Sequence, residues 1–269
     1  MRLGLLTAAF RDRPLEDVAR WAAANGFEAL EVYWPPGAEP DLDVPLEISA
    51  LAYYPNNLDP DDGAREAAHA HLRRLIDAAV GGIGLVCTFA GADPALTLDE
   101  NLDRFREVWP PLVAYADERG VRIAIENCPM VRWPGGTNLA YCPAAWDGMF
   151  EACPGPTLGL NLDPSHLHWL GIDPERAVRD FGNRIFHVHA KDTEIVRDEL
   201  YRRSILSLGA GWEHGRIPGR GEINWGGFVG ALREVGYDGV LSVEHEDHDM
   251  GLEEGFEAAR DALRPLLDG

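Results

Sequence analysis

The stretch Leu158-Gly159-Leu160-Asn161-Leu162-Asp163-Pro164-Ser165-His166 decides how this chain is read. Leu158, Leu160 and Leu162 share one face of an extended segment, and Gly159, Asn161 and Asp163 share the other. A short apolar run closed by a proline reads as a buried strand, 158–163, that ends in a carboxylate with an imidazole three residues later. Three further runs end in the same way: 122–126 on Glu126, 185–189 on His189 and 240–244 on Glu244. In each, the last side chain has the parity opposite to the bulky apolar ones, which are Ile123 and Ile125, Phe186 and Val188, and Leu241 and Val243. The apolar set is expected to face outer helices, and Glu126, Asp163, His189 and Glu244 to face inward together.

Working outward, Gly and Pro punctuation divides the chain into strand-then-helix units. Strands are expected at 3–7, 29–33, 47–52 and 84–88 before the four named above. Helices are expected at 14–25, 61–80, 98–119, 144–152, 174–181, 225–235 and 252–267. Pro110 and Pro111 predict a kink or a break in the third of these. Eight strands alternating with helices predict an α/β fold, a single (β/α)8 TIM barrel over residues 1–269. No GxGxxG follows the first strand, so a dinucleotide-binding sheet lacks its motif. In a barrel, chemistry gathers at the C-terminal strand ends, where all four ligand-capable residues fall. The segment 192–221, with Tyr201, Trp212, His214 and Arg216, is long enough to act as a lid or a subunit contact, and the second role implies a homo-oligomer. Residues 127–141, with Trp133 and the pair Gly135-Gly136, are expected to flank the pocket. Tyr53, Tyr54 and Phe89, at the ends of the third and fourth strands, suit the carbon face of a sugar as well as plain packing.

A formal charge of −21 over 269 residues argues against nucleic acid, whose phosphates demand a basic surface. No apolar run approaches the roughly 20 residues that span a bilayer, and the N-terminus enters a strand too directly for a secretory signal. A cytoplasmic protein is expected. Cys87, Cys128, Cys142 and Cys153 form no CxxC pair and are expected to be reduced. Lys191 is the only lysine in a chain whose other basic residues are arginines.

Three carboxylates and one imidazole make a hard donor set. It suits one divalent metal ion, Mn²⁺ or Mg²⁺ first, with Co²⁺ or Zn²⁺ as alternatives. Such an ion acts as a Lewis acid on a hydroxyketone, stabilising an enediolate. Glu126 and Glu244, from different strands, are placed to remove and return a proton on carbon. The competing reading is structural, since a lone strand-end carboxylate usually caps the next helix.

The Glu126 strand end, Asp163-x-x-His166, Phe186-His-Val-His-Ala-Lys-Asp192, Arg216-Ile-Pro-Gly-Arg-Gly221 and Ser242-Val-Glu-His-Glu-Asp247 occur in this order over roughly residues 120–250. As an ordered set they resemble the xylose-isomerase-like TIM barrels of the sugar phosphate isomerase/epimerase superfamily, which includes ketose 3-epimerases and inosose-processing enzymes. The resemblance implies that Glu126, Asp163, His189 and Glu244 bind the metal and that Glu126 and Glu244 form the acid/base pair. It implies that His166 and Arg216 contact substrate oxygens, and Lys191 is assigned the same kind of contact. The implied activity is metal-dependent isomerisation or epimerisation of a ketose, inosose or related polyol. The same site also fits β-elimination on 3-keto-glycosides, C-glycosides included, or a sugar-binding or partner subunit without turnover.

Two other classes fit less well. The abasic-site endonucleases of this barrel type use extra histidines after the third and fourth strands. This chain has Ala52-Tyr53-Tyr54 and Cys87-Thr88-Phe89 there. A Schiff-base aldolase would need Lys191 as its nucleophile. His187 shares the parity of His189 one layer deeper and reads as a packed core histidine.

Overall fold

Side-chain alternation, with bulky residues on one face and small or polar ones on the other, lets the sheet close around a narrow interior. The computed structural model describes residues 1–130, 138–205, 207 and 211–268. Its strands are β1 (Arg2–Leu6), β2 (Ala29–Tyr33), β3 (Glu47–Ala52), β4 (Leu85–Thr88), β5 (Arg122–Glu126), β6 (Leu158–Leu162), β7 (Ile185–Ala190), β8 (Asp192–Ile195), β9 (Glu213–Arg216) and β10 (Val240–Val243). β1 to β7 follow one another around a closed barrel, and β10 seals it between β7 and β1, with every pairing parallel. The fold is a TIM barrel. Its helices are α1 (Leu15–Ala24), α2 (Asp62–Ala79), α3 (Leu98–Asp117), α4 (Pro143–Ala152), α5 (Pro164–Trp169), α6 (Pro174–Phe181), α7 (Arg197–Arg203), α8 (Trp225–Glu234) and α9 (Leu252–Leu267).

The main core lies between strands and helices. Ile123, Ile125, Leu158, Leu160, Leu162, Val188, Leu241 and Val243 are all fully buried there. The inside of the barrel holds a second, smaller cluster of Leu6, Ala50, Ala52, Leu85, Cys87 and Ala124. The polar layer sits above this plug.

Four features differ from the sequence reading. Helix α3 runs unbroken through Pro110 and Pro111. Those prolines withdraw donors from the carbonyls of Arg106 and Glu107, two residues on the exposed face of the helix. Burial of Phe105, Trp109 and Leu112, with a Thr97–Glu100 capping box, holds the helix together. Phe186 does not share the outer face with Val188. Leu160 pairs with Ile185 and Asn161 with His187, so Phe186 is the extra residue of a bulge and packs against the interior cluster. Gly159 makes room for it, since a Cβ there would lie 2.5 Å from the Phe186 ring.

The third difference is the short helix α5, entered at Pro164 and capped by Asp163, whose side chain accepts from the Ser165 amide at 2.8 Å. The fourth is that the segment 192–221 contains α7 and an antiparallel hairpin, β8–β9, in which Asp192 pairs with Arg216. Asp192 is fully buried and accepts from the amides of Gly219 and Ile223 and from the Trp225 indole, pinning the returning chain. Ile195 and Trp212 pack the hairpin on Trp169 of α5. Trp133 and Gly135-Gly136 lie outside the described residues.

Candidate active site and metal centre

The C-terminal ends of β5, β6, β7 and β10 deliver Glu126, Asp163, His189 and Glu244 to one point. A ligand atom from each lies within 4.8 Å of the other three. Glu126 ends β5 and His189 lies within β7, while Asp163 and Glu244 each follow their strand by one residue. Buried asparagines brace the first two. Asn127 accepts from the Asp163 amide at 2.7 Å and donates to its carbonyl at 2.9 Å. Asn138 donates to the carbonyls of Glu126 and Cys128.

His189 is fully buried, and its two ring nitrogens meet different surroundings. Nε2 lies 2.9 and 3.1 Å from the carboxylate oxygens of Glu31, and so carries the proton. Nδ1 makes no hydrogen bond and stands 3.5 Å from Glu126 Oε1 and 3.4 Å from Glu244 Oε2, so it is the nitrogen that can offer a lone pair to a cation once the ring gives up its second proton. Asp163 divides its labour in the same way: one oxygen caps α5 while the other, Oδ2, is buried in the site with no directed hydrogen bond, 3.1 Å from the Lys191 ammonium. Two buried polar atoms that lack a hydrogen bond and are flanked by two glutamates fit a divalent cation, which would take the place of the Lys191 ammonium beside Asp163. The structural reading of Asp163 as a cap therefore holds for one oxygen and leaves the other for the site.

The electrostatics also call for positive charge. Burial disfavours the His189 imidazolium, but the carboxylates of Glu31, Glu126 and Glu244 outweigh it and hold the pKa well above its usual value. Burial raises the Glu244 carboxyl, and the charges of Lys191 and His189 more than reverse this, leaving it well below the usual range. For Glu31, burial is opposed by His189 and His187, which bring it to about 2.

Glu31 and its surroundings were not singled out from the sequence. It is fully buried on β2, accepts from Tyr54 Oη at 2.5 Å, and lies 3.7 Å from His187 Nδ1. His187 sits inside the barrel beside Ser49 and Asn161, matching its reading as a packed interior residue. The available signal was the parity of Ala29-Leu-Glu-Val-Tyr33, in which one acid interrupts an otherwise buried strand.

The expected substrate contacts are placed differently from one another. Lys191 is buried, with Nζ 2.8 Å from Glu244, 3.1 Å from Asp163, 3.4 Å from Glu246 and 3.1 Å from His166 Nε2. His166 stands 3.3 Å from Asp163 Oδ2 and accepts at Nδ1 from the Trp169 indole at 3.3 Å. Arg216 lies at the rim, and its guanidinium is bound by Glu194, Asp247 and Asp249. That network ties the β8–β9 hairpin to the loop after β10. A cavity of about 910 Å³ covers this floor. Tyr33, Tyr53, Tyr54, Phe89 and Trp169 form apolar walls, and Glu126, His166, Lys191, Arg216 and Glu244 supply polar lining. No helix among the described residues is long and apolar enough to cross a membrane.

Comparison with known proteins bears on this geometry. YfiH of Bacillus subtilis (strain 168), an uncharacterized protein, is 28% identical over 323 aligned residues covering 99% of each chain. Inosose isomerase of Bacillus velezensis (strain DSM 23117) is 28% identical over 228 residues, 83% of this chain and 75% of that protein. Among solved structures, the IolI protein with a bound zinc atom superposes with a TM-score of 0.78 over 100% of this chain and 98% of that one, at 18% identity, a likeness of fold. Dehydratases and ketose epimerases also stand among the matches. The sequence profile of the xylose isomerase-like TIM barrel matches residues 19–266, and the chain belongs to that family.

Proposed function

We propose that this protein is a divalent-metal-dependent isomerase or epimerase that moves a proton on a carbon beside the ketone of a ketose, inosose or related polyol. The observation that carries the reading is the convergence of Asp163 Oδ2 and His189 Nδ1, both buried and without a hydrogen bond, between Glu126 and Glu244. These four residues would hold the ion. The hard donor set favours Mn²⁺, with Mg²⁺, Co²⁺ or the Zn²⁺ held by IolI as alternatives. When bound, the ion supplies Lewis-acid polarisation of the substrate carbonyl and its neighbouring hydroxyl.

The chain's own residues account for the rest. Glu126 and Glu244 flank the His189 ring from different strands, so one carboxylate can take the proton from carbon and the other can return one. His166 and Lys191 present donors to hydroxyl oxygens, and Arg216 stiffens the rim. Tyr54, Phe89 and Trp169 shield the carbon face and exclude water. The test is proton exchange in D₂O across ketoses and inososes, read by NMR. The wild type should incorporate deuterium beside the ketone, and Glu244→Gln should not. Equal exchange by both proteins would remove Glu244 from the mechanism.

One observation favours a second reading, β-elimination. The Lys191 ammonium sits between Glu244 and His166, which puts a proton donor beside a base, as expulsion of a hydroxyl or an aglycone requires. Under elimination, Lys191→Met abolishes release of the leaving group while exchange persists. Under epimerisation it lowers binding of the polyol without changing the product.

A further inference from the structure

The cavity wall next to the four-residue centre holds a second cluster of metal-capable side chains. A ligand atom from each of Glu126, Cys128 and His166 lies within 4.8 Å of the other two. Ligands of a tetrahedral ion with bonds of about 2.0–2.3 Å stand roughly 3.3–3.8 Å apart, so small side-chain adjustments bring the three to coordinating distance. A fourth donor is at hand, because Met130 Sδ lies 3.4 Å from Cys128 Sγ. Met130 is one of two described non-glycine residues with positive φ, at 53°. A left-handed conformation of this kind persists only where its surroundings over-determine it. Here it accompanies a thioether set beside a thiol.

We propose that Cys128, His166 and Glu126, with Met130 beside them, form a second cation site that takes a soft metal ion, Zn²⁺ or Cd²⁺ rather than Mn²⁺ or Mg²⁺. Thiolate, thioether and imidazole select borderline and soft ions, whereas the neighbouring set of three carboxylates and one imidazole selects hard ones. His166 is oriented for the role: the Trp169 indole occupies Nδ1, and Nε2 is the nitrogen turned toward Glu126 and Asp163. Formal charge leaves room for a second cation, since Glu31, Glu126, Asp163, Glu244 and Glu246 outnumber Lys191 and one divalent ion. Lys191 is the competitor for His166 Nε2, at 3.1 Å. A soft ion that takes this nitrogen sends the ammonium toward Glu244 and Glu246, which it already contacts. Glu126 is common to both sites. If it transfers the proton, as in the function proposed above, occupancy of the second site inhibits turnover, and excess zinc acts as a brake.

The test is a Cd²⁺ titration of the full chain, followed by the ultraviolet cadmium–thiolate charge-transfer band and by bound metal per chain. The wild type should show the band and bind one cation more than Cys128→Ser. Cys128→Ser should lose the band, and His166→Asn should need at least tenfold more Cd²⁺ to reach half the band. Asp163→Asn should keep the band whether or not the first centre is catalytic, which separates this proposal from the proposed function. No band in the wild type, a band that survives Cys128→Ser, or a band indifferent to His166→Asn overturns the proposal.

Discussion

Replacing Glu31 by glutamine keeps the side chain's volume and removes one buried charge that does not itself line the cavity. In the wild type the carboxylate receives the His189 Nε2 proton at 2.9 and 3.1 Å with no exposure to water. A hydrogen bond to a charged group contributes about 1.5–3 kcal/mol and a neutral one about 0.5–1.5, so the exchange costs roughly 1–2 kcal/mol. The bond also selects which nitrogen of His189 faces the centre. Part of the loss therefore appears as metal affinity, in keeping with the roughly 10–100-fold effects of partners behind metal-bound histidines. The expectation is binding of Mn²⁺ about 10- to 30-fold weaker in Glu31→Gln, measured by competition with a fluorescent chelator on metal-stripped protein. A urea midpoint on the same samples separates loss of affinity from loss of fold. Unchanged affinity in a folded variant refutes the assignment of Glu31 as the residue that orients His189.

Two further expectations concern the frame around the centre. Gly159→Ala puts a Cβ within 2.4 Å of the Arg184 carbonyl and 2.5 Å of the Phe186 ring, and overpacking of this kind costs about 1–3 kcal/mol. Its urea midpoint should fall, and an unchanged midpoint contradicts the bulge that turns Phe186 inward. At Asp247, burial raises the carboxyl, while the Asp249 amide and the Arg216 guanidinium outweigh it and hold the pKa below its usual value. A depressed carboxyl stabilises the fold above its unfolded pKa of about 3.9, and this contribution is lost as pH falls through the lower folded value. Arg216→Met should flatten the fall of the urea midpoint between about pH 5 and pH 3. Identical slopes in the two proteins would show that the rim network contributes nothing to acid stability.

The convergence of four ligand-capable side chains could be read from parity alone. Glu126, Asp163, His189 and Glu244 each follow or end a short strand whose bulky residues point the other way, and strand period is a local property. What could not be read depends on partners distant in sequence. Glu31 is one acid on one strand until β7 brings His189 against it, 158 positions away. Phe186 obeys strict alternation in sequence and breaks it in the fold, because the bulge is set by pairing with β6 and by the space at Gly159. The prolines of α3 carry a breaking signal that the capping box and the buried aromatics override. Arg216 shows the opposite limit: the family resemblance implies a substrate contact for it, but the acids that occupy its guanidinium come from the hairpin and from the loop after β10.

The account rests on a cation at the meeting point of β5, β6, β7 and β10. Anomalous diffraction from crystals grown with Mn²⁺ tests it most directly. The account predicts one strong manganese peak within about 2.3 Å of carboxylate oxygens of Glu126, Asp163 and Glu244 and of Nδ1 of His189, with the Lys191 ammonium displaced from Asp163. A peak elsewhere, or none at saturating Mn²⁺ with Lys191 still bridging Asp163 and Glu244, contradicts it.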